Sequence, residues 1–216
     1  MVKSSTLLEI PLRGERQHSE PLRRAFDIAV AATALAVLAP VLATVAVLIW
    51  SEDRGSILFH QERVGQNGKR FAFYKFRSMV ANAEALKESL STKNEASGPI
   101  FKMQHDPRIT RIGRVLRRYS LDELPQLWNV LKGDMSLVGP RPHLPREIES
   151  CPNYPLERLS VPPGLICLRE VSGRSRLTFE EWIALDLEYV RKRSLLLNLS
   201  ILLRALPAVL RGDGAY

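Results

Sequence analysis

Hydrophobic residues run almost without interruption over residues 25–50, where Asp27 is the only charged residue. About 20 apolar residues are enough to cross a bilayer as a helix. A secretory signal would have a shorter apolar region that ends at a small-residue cleavage site, whereas this one ends at Ile49 and Trp50. The pattern therefore predicts an uncleaved membrane helix over residues 22–51.

Two features of this segment concern how the helix meets the membrane. Pro40 lies near its middle, where a proline removes a backbone hydrogen bond and favours a kink. Basic residues precede the segment at Arg23 and Arg24 and follow it from Arg54 onward, and the positive-inside tendency draws both flanks to the cytosol. Because proline kinks also occur in spanning helices, these residues leave both a spanning and a re-entrant helix open.

After the membrane segment, hydrophobic and polar residues alternate in a pattern that predicts a β-hairpin. Residues 57–64 and 71–78 are the predicted strands, and the sequence Gln66-Asn-Gly-Lys69 between them is typical of a two-residue turn. Since side chains alternate along a strand with a period of two, Lys75 and Arg77 are expected on the same face of the second strand.

An arginine-rich stretch over residues 108–118 predicts a basic helix. Its arginines recur at spacings of three or four, which places them along one side of the helix. They are Arg108, Arg111, Arg114, Arg117 and Arg118. Such a stripe suits lipid phosphates at a membrane surface, although a run of charges is also typical of a face in contact with water.

Two further helices are predicted near the C-terminus. Thr178 and Glu181 match a capping box, and Trp182 and Tyr189 follow at core spacing. The apolar stretch 195–207 is short for a membrane span and is interrupted by polar residues, so it predicts a helix that lies at the membrane interface.

These elements predict a fold of the mixed α/β class: a small, helix-rich domain with a β-hairpin, anchored by an N-terminal membrane helix and interfacial amphipathic helices. Residues 1–21 are expected to form a mobile extension and residues 22–51 the membrane helix, kinked at Pro40. Residues 52–194 are the predicted cytosolic domain, and residues 195–216 the interfacial helix and tail. A chain of 216 residues with 45% hydrophobic content is long enough for one such domain.

Composition narrows the range of partners. The net charge of +8 predicts an anionic partner, which is nucleic acid, an anionic membrane or a phosphorylated substrate. The apolar segment holds the chain at a bilayer and no nucleic-acid-binding motif is recognisable, so we expect no nucleic acid partner. Cys151 and Cys167 have no CxxC spacing, and the four histidines have no metal-ligand pairing. We expect no structural zinc site and two free thiols, with a single disulfide as the alternative in an oxidising compartment.

Two adjacent carboxylates, Asp122 and Glu123, stand at a predicted helix start. Ser120 and Glu123 match a capping box, so their spacing alone has a purely structural explanation. Backbone amides and the positive end of the helix dipole would keep Asp122 ionised, which a carboxylate nucleophile requires. Adjacent helical residues diverge by about 100°, and this favours different roles for the two acids.

The sequence around these acids, YSLDELPQLWNVLKGDMSLVGPRP over residues 119–142, resembles the signature of the bacterial monotopic phosphoglycosyl transferases. The resemblance covers residues 22–216 and includes further segments in the same order. These are FHQERVG at 59–65, YKFRSM at 74–79, DPRITRIG at 106–113, PGL at 163–165 and VSGR at 171–174.

The resemblance implies an enzyme that transfers a sugar-1-phosphate from a UDP-sugar to polyprenyl phosphate and releases UMP, at the start of exopolysaccharide or other glycan assembly. Asp122 would be the nucleophile that forms a covalent phosphosugar intermediate, and Glu123 would assist. Lys75 and Arg77, expected on one strand face, are predicted to bind phosphate, and Asp122 is predicted to bind Mg²⁺. The resemblance implies phosphate binding by Arg174 and nucleotide binding by Arg141 and Pro142.

The resemblance also implies a location. Family members dip one broken helix into a single leaflet, which favours a re-entrant helix at Pro40 and a domain on the cytosolic face of the bacterial inner membrane, in contact with membrane lipids. The chain departs from the usual pattern at Ala39, where serine is common, at Cys167, where glycine is common, and at Glu170, where glutamine is common. The sequence leaves open the particular sugar and whether the protein forms a homodimer.

Two rival functions are compatible with the same residues. A membrane-bound phosphohydrolase would form the same Asp122 intermediate and give it to water. A noncatalytic membrane adaptor would use Asp122 only as a helix cap and the basic face to bind lipids.

Overall fold

A computed structural model describes residues 20–95, 98–101, 103–173 and 177–211, with side chains up to residue 207. The helices within these ranges are α1 (Glu20–Asp53), α2 (Ala83–Ser89), α3 (Arg111–Arg118), α4 (Gln126–Lys132), α5 (Pro145–Glu149), α6 (Phe179–Lys192) and α7 (Leu195–Arg211). The strands are β1 (Leu58–Val64), β2 (Arg70–Phe76), β3 (Ser136–Val138) and β4 (Gly164–Ile166). Short 3₁₀ turns lie at Gln66–Gly68, Ser91–Lys93, Leu121–Glu123, Leu156–Ser160 and Leu168–Val171. The expected mixed α/β, helix-rich fold with a hairpin is confirmed.

Helix α1 is the apolar helix that the hydrophobic pattern predicts, and it is long and apolar enough to cross a membrane. It continues as one helix through Pro40, beside which the Thr44 hydroxyl donates to the Pro40 carbonyl at 2.9 Å. Near its start, Arg24 donates to the Val130 carbonyl at 2.5 Å. At its other end, the Glu52 carboxylate accepts from the Arg111 amide at 2.9 Å. Both ends of α1 therefore contact the same domain.

The single acidic residue in the apolar part of α1 is a docking group. The Asp27 carboxylate accepts a hydrogen bond from the Ser136 hydroxyl at 2.7 Å and another from the Leu137 amide at 3.2 Å. All three residues are buried. A buried charge is costly unless it is hydrogen-bonded, so Asp27 fixes where α1 meets β3.

The predicted hairpin is confirmed, with Val64 opposite Arg70 in antiparallel register. Its turn is longer than the two residues expected, because Gln66–Gly68 forms a 3₁₀ turn. Asn67 and Gly68 have φ angles of 54° and 77°, which suits asparagine and glycine because both enter the left-handed region at low cost.

A second sheet lies in the core and pairs β3 with β4 in parallel. Beyond β3 the backbones of Gly139 and Gly164 are in direct contact, since a Cβ added to Gly164 would lie 2.0 Å from the Gly139 amide nitrogen. Strand β3 leads directly into the residues Gly139 to Pro142. Its parallel partner β4 was not predicted.

The core joins residues from α1, β2, α4, β3, α6 and α7. On α7, Ile201 and Ala205 are buried, and the Asn198 side chain lies 2.9 Å from the Tyr189 hydroxyl. The opposite side of α7 exposes a stripe of leucines, namely Leu196, Leu199, Leu203 and Leu206. The helix therefore carries apolar residues on both its buried and its exposed side, and its position at the membrane interface stays a prediction.

The arginine-rich helix is shorter than expected, since α3 begins at Arg111 with Thr110 as its N-cap. The prediction that Arg108 belongs to an exposed stripe is wrong: Arg108 forms a buried ion pair with Asp106 at 2.6 Å. Its guanidinium therefore satisfies a buried carboxylate and is not available to lipid phosphates.

The two cysteines are both free, as expected. The capping box at Thr178 is also confirmed, because its hydroxyl accepts from the Glu181 amide at 3.2 Å while the Glu181 carboxylate accepts from the Thr178 amide at 2.8 Å.

Candidate active site

Asp122 and Glu123 lie on a 3₁₀ turn, Leu121–Glu123, between α3 and α4. Ser120, just before it, has a φ of 53° and its side chain makes no capping hydrogen bond. The predicted capping box between Ser120 and Glu123 is therefore wrong. The Glu123 carboxylate instead reaches two cations from other elements, and the helix start at α4 lies three residues further on, at Gln126.

Lys75, on β2, is the cation that joins the two acids. Its Nζ lies 2.6 Å from Glu123 Oε1 and 3.6 Å from Asp122 Oδ2. The side chains of Lys75 and Glu123 are both mostly buried. The hairpin thus delivers a lysine to the acids, whereas the strand pattern had predicted only that Lys75 shares a face with Arg77.

Arg141, in the loop after β3, is the second cation. Its Nη2 donates to Glu123 Oε1 at 2.8 Å, and its Nη1 lies 3.7 Å from Glu170 Oε1. The structure therefore brings Lys75, Asp122, Glu123 and Arg141 together in one cluster. Glu170, at which the chain departs from the usual pattern, is a second anion beside Arg141.

The charges of this cluster stabilise one another. Burial on its own would raise the pKa of Glu123, but Arg141 and Lys75 outweigh it and hold that pKa well below its usual value. Burial would likewise lower the pKa of Arg141, and Glu123 reverses that shift and raises it. Glu123 is thus an anion at neutral pH. One of its two carboxylate oxygens, Oε1, accepts hydrogen bonds from both cations.

Asp122 differs from Glu123 in how it is held. It is 5% exposed, and the described residues place no hydrogen-bond donor on its carboxylate; Lys75 approaches only to 3.6 Å. Its oxygens are therefore free to contact an incoming group. This difference matches the expectation of different roles for the two acids.

Arg117 is a residue near this site that the sequence pattern placed on the lipid-facing stripe. Its Nε donates to the Ser78 hydroxyl at 3.0 Å. Burial lowers the pKa of Arg117, and the nearby charge of Asp122 opposes that shift. Gly113 lies one helical turn before Arg117, on the same side of α3, and packs directly against the Ser78 backbone. A glycine at this spacing was the sequence signal that this side of α3 contacts the domain.

Arg77, a predicted phosphate ligand, is not brought into the cluster. Arg77 lies just beyond β2, where its guanidinium pairs with both carboxylate oxygens of Asp53 and donates to the Ser56 carbonyl at 2.6 Å. Arg174 lies outside the described residues. Phosphate binding by either arginine stays a prediction.

The loop that carries Arg141 is fixed along its backbone. Gly164 donates its amide to the Pro140 carbonyl at 2.9 Å, Arg63 donates to the Pro142 carbonyl at 3.1 Å, and Val64 donates its amide to the His143 carbonyl at 3.0 Å. Pro142, a predicted nucleotide ligand, thus lies one residue from the cluster. Its proline ring and these bonds make the loop rigid.

A preformed metal cage is absent from the described part of the chain, where no three metal-ligating side chains group together. His143 is buried among aromatic rings, and burial, with Arg158 and Arg63, lowers its pKa well below the usual value. The cluster nevertheless fits Mg²⁺ in another way. Mg²⁺ in phosphate-binding sites commonly takes one or two carboxylates plus substrate oxygens, and the Asp122 carboxylate is available for that purpose.

The amino-acid sequence of the chain is similar to those of several known proteins. The chain is 42% identical over 205 residues to the UDP-galactose-lipid carrier transferase of Erwinia amylovora and 41% identical over 217 residues to the undecaprenyl-phosphate galactose phosphotransferase of Salmonella typhimurium. These alignments cover 93% and 97% of the chain but 43% and 45% of the relatives, so the chain spans less than half the length of either. It is also 39% identical to the exopolysaccharide production protein ExoY of Sinorhizobium fredii, over 90% of the chain and 88% of that relative.

The family model described as bacterial sugar transferase matches residues 18–212, which include every described element of the fold and the whole charged cluster. The chain belongs to the bacterial sugar transferase family.

Proposed function

We propose that this protein transfers a sugar-1-phosphate from a UDP-sugar to polyprenyl phosphate, releases UMP, and so begins the assembly of a membrane-linked glycan. The observation that carries the proposal is the Asp122–Glu123 pair bridged by Lys75, in a chain of the bacterial sugar transferase family. The names of two relatives state a lipid carrier or undecaprenyl phosphate, and one of them also states UDP-galactose.

In the first step, an Asp122 carboxylate oxygen attacks the β-phosphorus of the UDP-sugar. The bond between that phosphorus and the bridging oxygen breaks, and the oxygen leaves with UMP. The product is an acyl phosphate that carries the sugar on Asp122. Asp122 suits this role because its carboxylate is close to Lys75 and is not engaged in a hydrogen bond with the described residues.

In the second step, an oxygen of polyprenyl phosphate attacks the same phosphorus. The acyl-phosphate bond breaks, the Asp122 carboxylate is regenerated, and the phosphosugar is joined to the lipid through a diphosphate. Glu123 is the weaker nucleophile of the two, because two cations, Lys75 and Arg141, already contact its carboxylate at Oε1. We infer that Glu123 holds those two cations in place for the phosphates of donor and acceptor.

Positive charge is required because a carboxylate and a diphosphate repel one another. Lys75 and Arg141 supply part of it. When bound, Mg²⁺ would be held by Asp122 together with donor oxygens and would supply the remaining neutralisation. Arg77 and Arg174 are proposed as further phosphate ligands; for Arg77 this requires exchange of Asp53 for a phosphate.

We also propose that α1 is a re-entrant helix that keeps the site on the cytosolic face of the bacterial inner membrane. Both ends of α1 contact the same domain, through Arg24 and Glu52, while its middle exposes Val37 and Val41. A helix that crossed the bilayer would carry its ends to opposite sides. The exposed leucines of α7 supply a second apolar surface for the same membrane.

The test of the catalytic proposal is the Asp122→Asn variant, which keeps the size of the side chain and removes the nucleophile. With a UDP-sugar and no acceptor, intact-protein mass spectrometry of the wild type should show an added phosphosugar that the variant lacks. Asp134→Asn is a matched control, because Asp134 pairs with exposed Lys132 outside the cluster. Continued turnover of UDP-sugar and carrier lipid by Asp122→Asn would rule the mechanism out.

The acceptor distinguishes the proposal from its rivals. UMP release should depend on added polyprenyl phosphate beyond the first turnover, whereas a phosphohydrolase would release UMP continuously in its absence. A noncatalytic adaptor would release no UMP under either condition. The same purified protein can be assayed with different UDP-sugars to identify the sugar, and its mass in solution would show whether it forms a homodimer.

A further inference from the structure

We propose that Arg158 is a positioning residue that fixes Arg141 for phosphosugar transfer, and that Asp186 on α6 holds Arg158 in place for this purpose. Neither residue belongs to the charged cluster. The inference rests on the proposed function, because it assigns a role within the same site.

Arg158 uses its whole guanidinium in three directions. Nη2 donates to the Arg141 backbone carbonyl at 2.5 Å, Nε donates to Asp186 Oδ2 at 2.7 Å, and Nη1 donates to the Tyr154 hydroxyl at 2.5 Å. The planar arrangement of arginine donors makes these directions fixed relative to one another. A shift of any one partner therefore displaces the other two.

The guanidinium is completely enclosed, since Arg158 is 2% exposed and Asp186 is fully buried. Burial would lower the pKa of Arg158, but Asp186 outweighs it and raises that pKa. A buried ion pair of this kind contributes little net stability compared with hydrophobic residues of similar volume. The presence of the Arg158–Asp186 pair beside the charged cluster therefore needs an explanation other than stability.

The position of the contact supplies that explanation. The carbonyls on either side of Arg141 are held by other donors, with Gly164 at Pro140 and Arg63 at Pro142. Arg158 holds the remaining one, which belongs to the residue whose side chain binds Glu123 at 2.8 Å. A continuous series of contacts thus runs from Asp186 through Arg158 and Arg141 to Glu123.

The first test is Arg158→Lys, which keeps the charge and the pairing with Asp186 but cannot make three contacts at once. We expect kcat/KM for the UDP-sugar to fall roughly 10- to 100-fold, since small displacements of a site group have effects of that order. Arg108→Lys is the matched control: Arg108 also pairs with a buried aspartate and donates to a backbone carbonyl, that of Ala83. It should change thermal stability similarly and leave kcat/KM within about 2-fold.

A double-mutant cycle decides whether Arg158 acts through Arg141. If it does, Arg158→Lys should have little further effect in a protein that already carries Arg141→Lys, because coupled residues are not additive. A purely structural role predicts that the two losses multiply. Multiplicative losses would overturn the inference while leaving the proposed function intact.

An NMR measurement tests the position of Arg141 without relying on enzymatic turnover. The side-chain Nε–H signal of Arg141, assigned by its loss in Arg141→Lys and recorded by NMR in lipid nanodiscs, should move or broaden in Arg158→Lys and stay unchanged in Arg108→Lys. Tyr154→Phe, which keeps the ring and the ion pair, should give a smaller change in the same direction if Arg158→Lys does not fold. An unchanged Arg141 signal in both variants would overturn the inference even if the protein proved not to be a transferase.

Discussion

Lys75 Nζ lies 2.6 Å from Glu123 Oε1, although 48 residues separate the two along the chain. The contact connects the second strand of the hairpin to the turn that carries Asp122, the proposed nucleophile. The same Nζ lies 3.6 Å from Asp122 Oδ2, so Lys75 is a cation shared by the two acids.

Replacement of Lys75 by methionine should reduce kcat by roughly 100-fold or more, because a charge that acts on the reacting phosphate is removed from a water-poor site. Methionine keeps most of the side-chain length, so the hairpin should still form. Initial rates of UMP release would measure the effect. Lys132→Met, which removes an exposed lysine paired with Asp134, should retain the wild-type rate. Comparable rates for the two variants would contradict a role for Lys75 in the reaction.

Glu123 should make stability dependent on pH. Its folded pKa is lowered by Arg141 and Lys75, so its contribution is present above the usual glutamate value of about 4.3 and is lost as the pH falls towards the lowered pKa. Glu123→Gln should cost about 3–5 kcal/mol at pH 7, because two buried cations lose their partner. That difference should shrink by about 1.4 kcal/mol per pH unit below pH 4.3.

Unfolding free energies of wild type and variant in detergent, at pH 7 and pH 3, would measure this change. Glu188→Gln serves as the control, since Glu188 forms an exposed pair with Lys192 and should show a difference below about 1 kcal/mol at either pH. A Glu123→Gln difference that stayed constant with pH would show that Glu123 is not held as an anion.

Replacement of Glu170 by glutamine should lower KM for the UDP-sugar several-fold. Glu170 Oε1 lies 3.7 Å from Arg141 Nη1, where it would compete with the phosphate of the proposed donor for the arginine. Glutamine removes this charge and keeps an oxygen that can accept from the Cys167 amide, as Glu170 does now. Steady-state kinetics would measure KM, with Glu149→Gln as a surface control. A higher KM would mean that Glu170 supports donor binding.

The re-entrant proposal predicts that both ends of α1 face the cytosol. Cysteines introduced one at a time at Leu22 and Ser51, both exposed, should be shielded from a membrane-impermeant thiol reagent in intact cells and should react after permeabilisation. Cys151→Ser provides the background, because Cys167 is buried. Labelling of one site alone in intact cells would establish a spanning helix.

Gly164→Ala should destabilise the protein by about 1–3 kcal/mol or more and reduce turnover, because overpacking forces backbone shifts. The added Cβ would lie 2.0 Å from the Gly139 nitrogen, at the root of the loop that carries Arg141. Gly133→Asn tests a glycine of another kind: its φ is +89° and the nearest atom is 3.5 Å away. Asparagine tolerates that conformation, so thermal unfolding should change little. Equal effects of the two substitutions would contradict this packing argument.

The sequence was informative where a pattern is local. The apolar run, the alternation around Asn67 and Gly68, and the Thr178 capping box each predicted an element that the structure contains. For Lys75 the period of two predicted only a side of the strand, and its contact with Glu123 depends on the tertiary fold. The alternation does not extend to Arg77, because β2 ends one residue earlier, at Phe76. The ion pair with Asp53 determines the direction of the Arg77 side chain instead.

The rest of the site depends on contacts between distant parts of the chain. Ser120 and Glu123 have capping-box spacing, but two cations from β2 and the loop after β3 draw the Glu123 carboxylate away from the backbone. The pairing of β3 with β4 joins strands of three residues each, which are too short to show a period. Arg158 and Asp186 lie 28 residues apart on separate elements, and no local pattern links them.

Asp27 has a consequence for the order in which the protein matures. Its carboxylate leaves the ribosome well before Ser136 and Leu137, which follow 109 and 110 residues later. Until they arrive, the nascent apolar helix carries a charge that opposes deep entry into lipid. If α1 enters the membrane as proposed, its stable insertion follows the synthesis of β3, and membrane attachment and assembly of the domain become a single event.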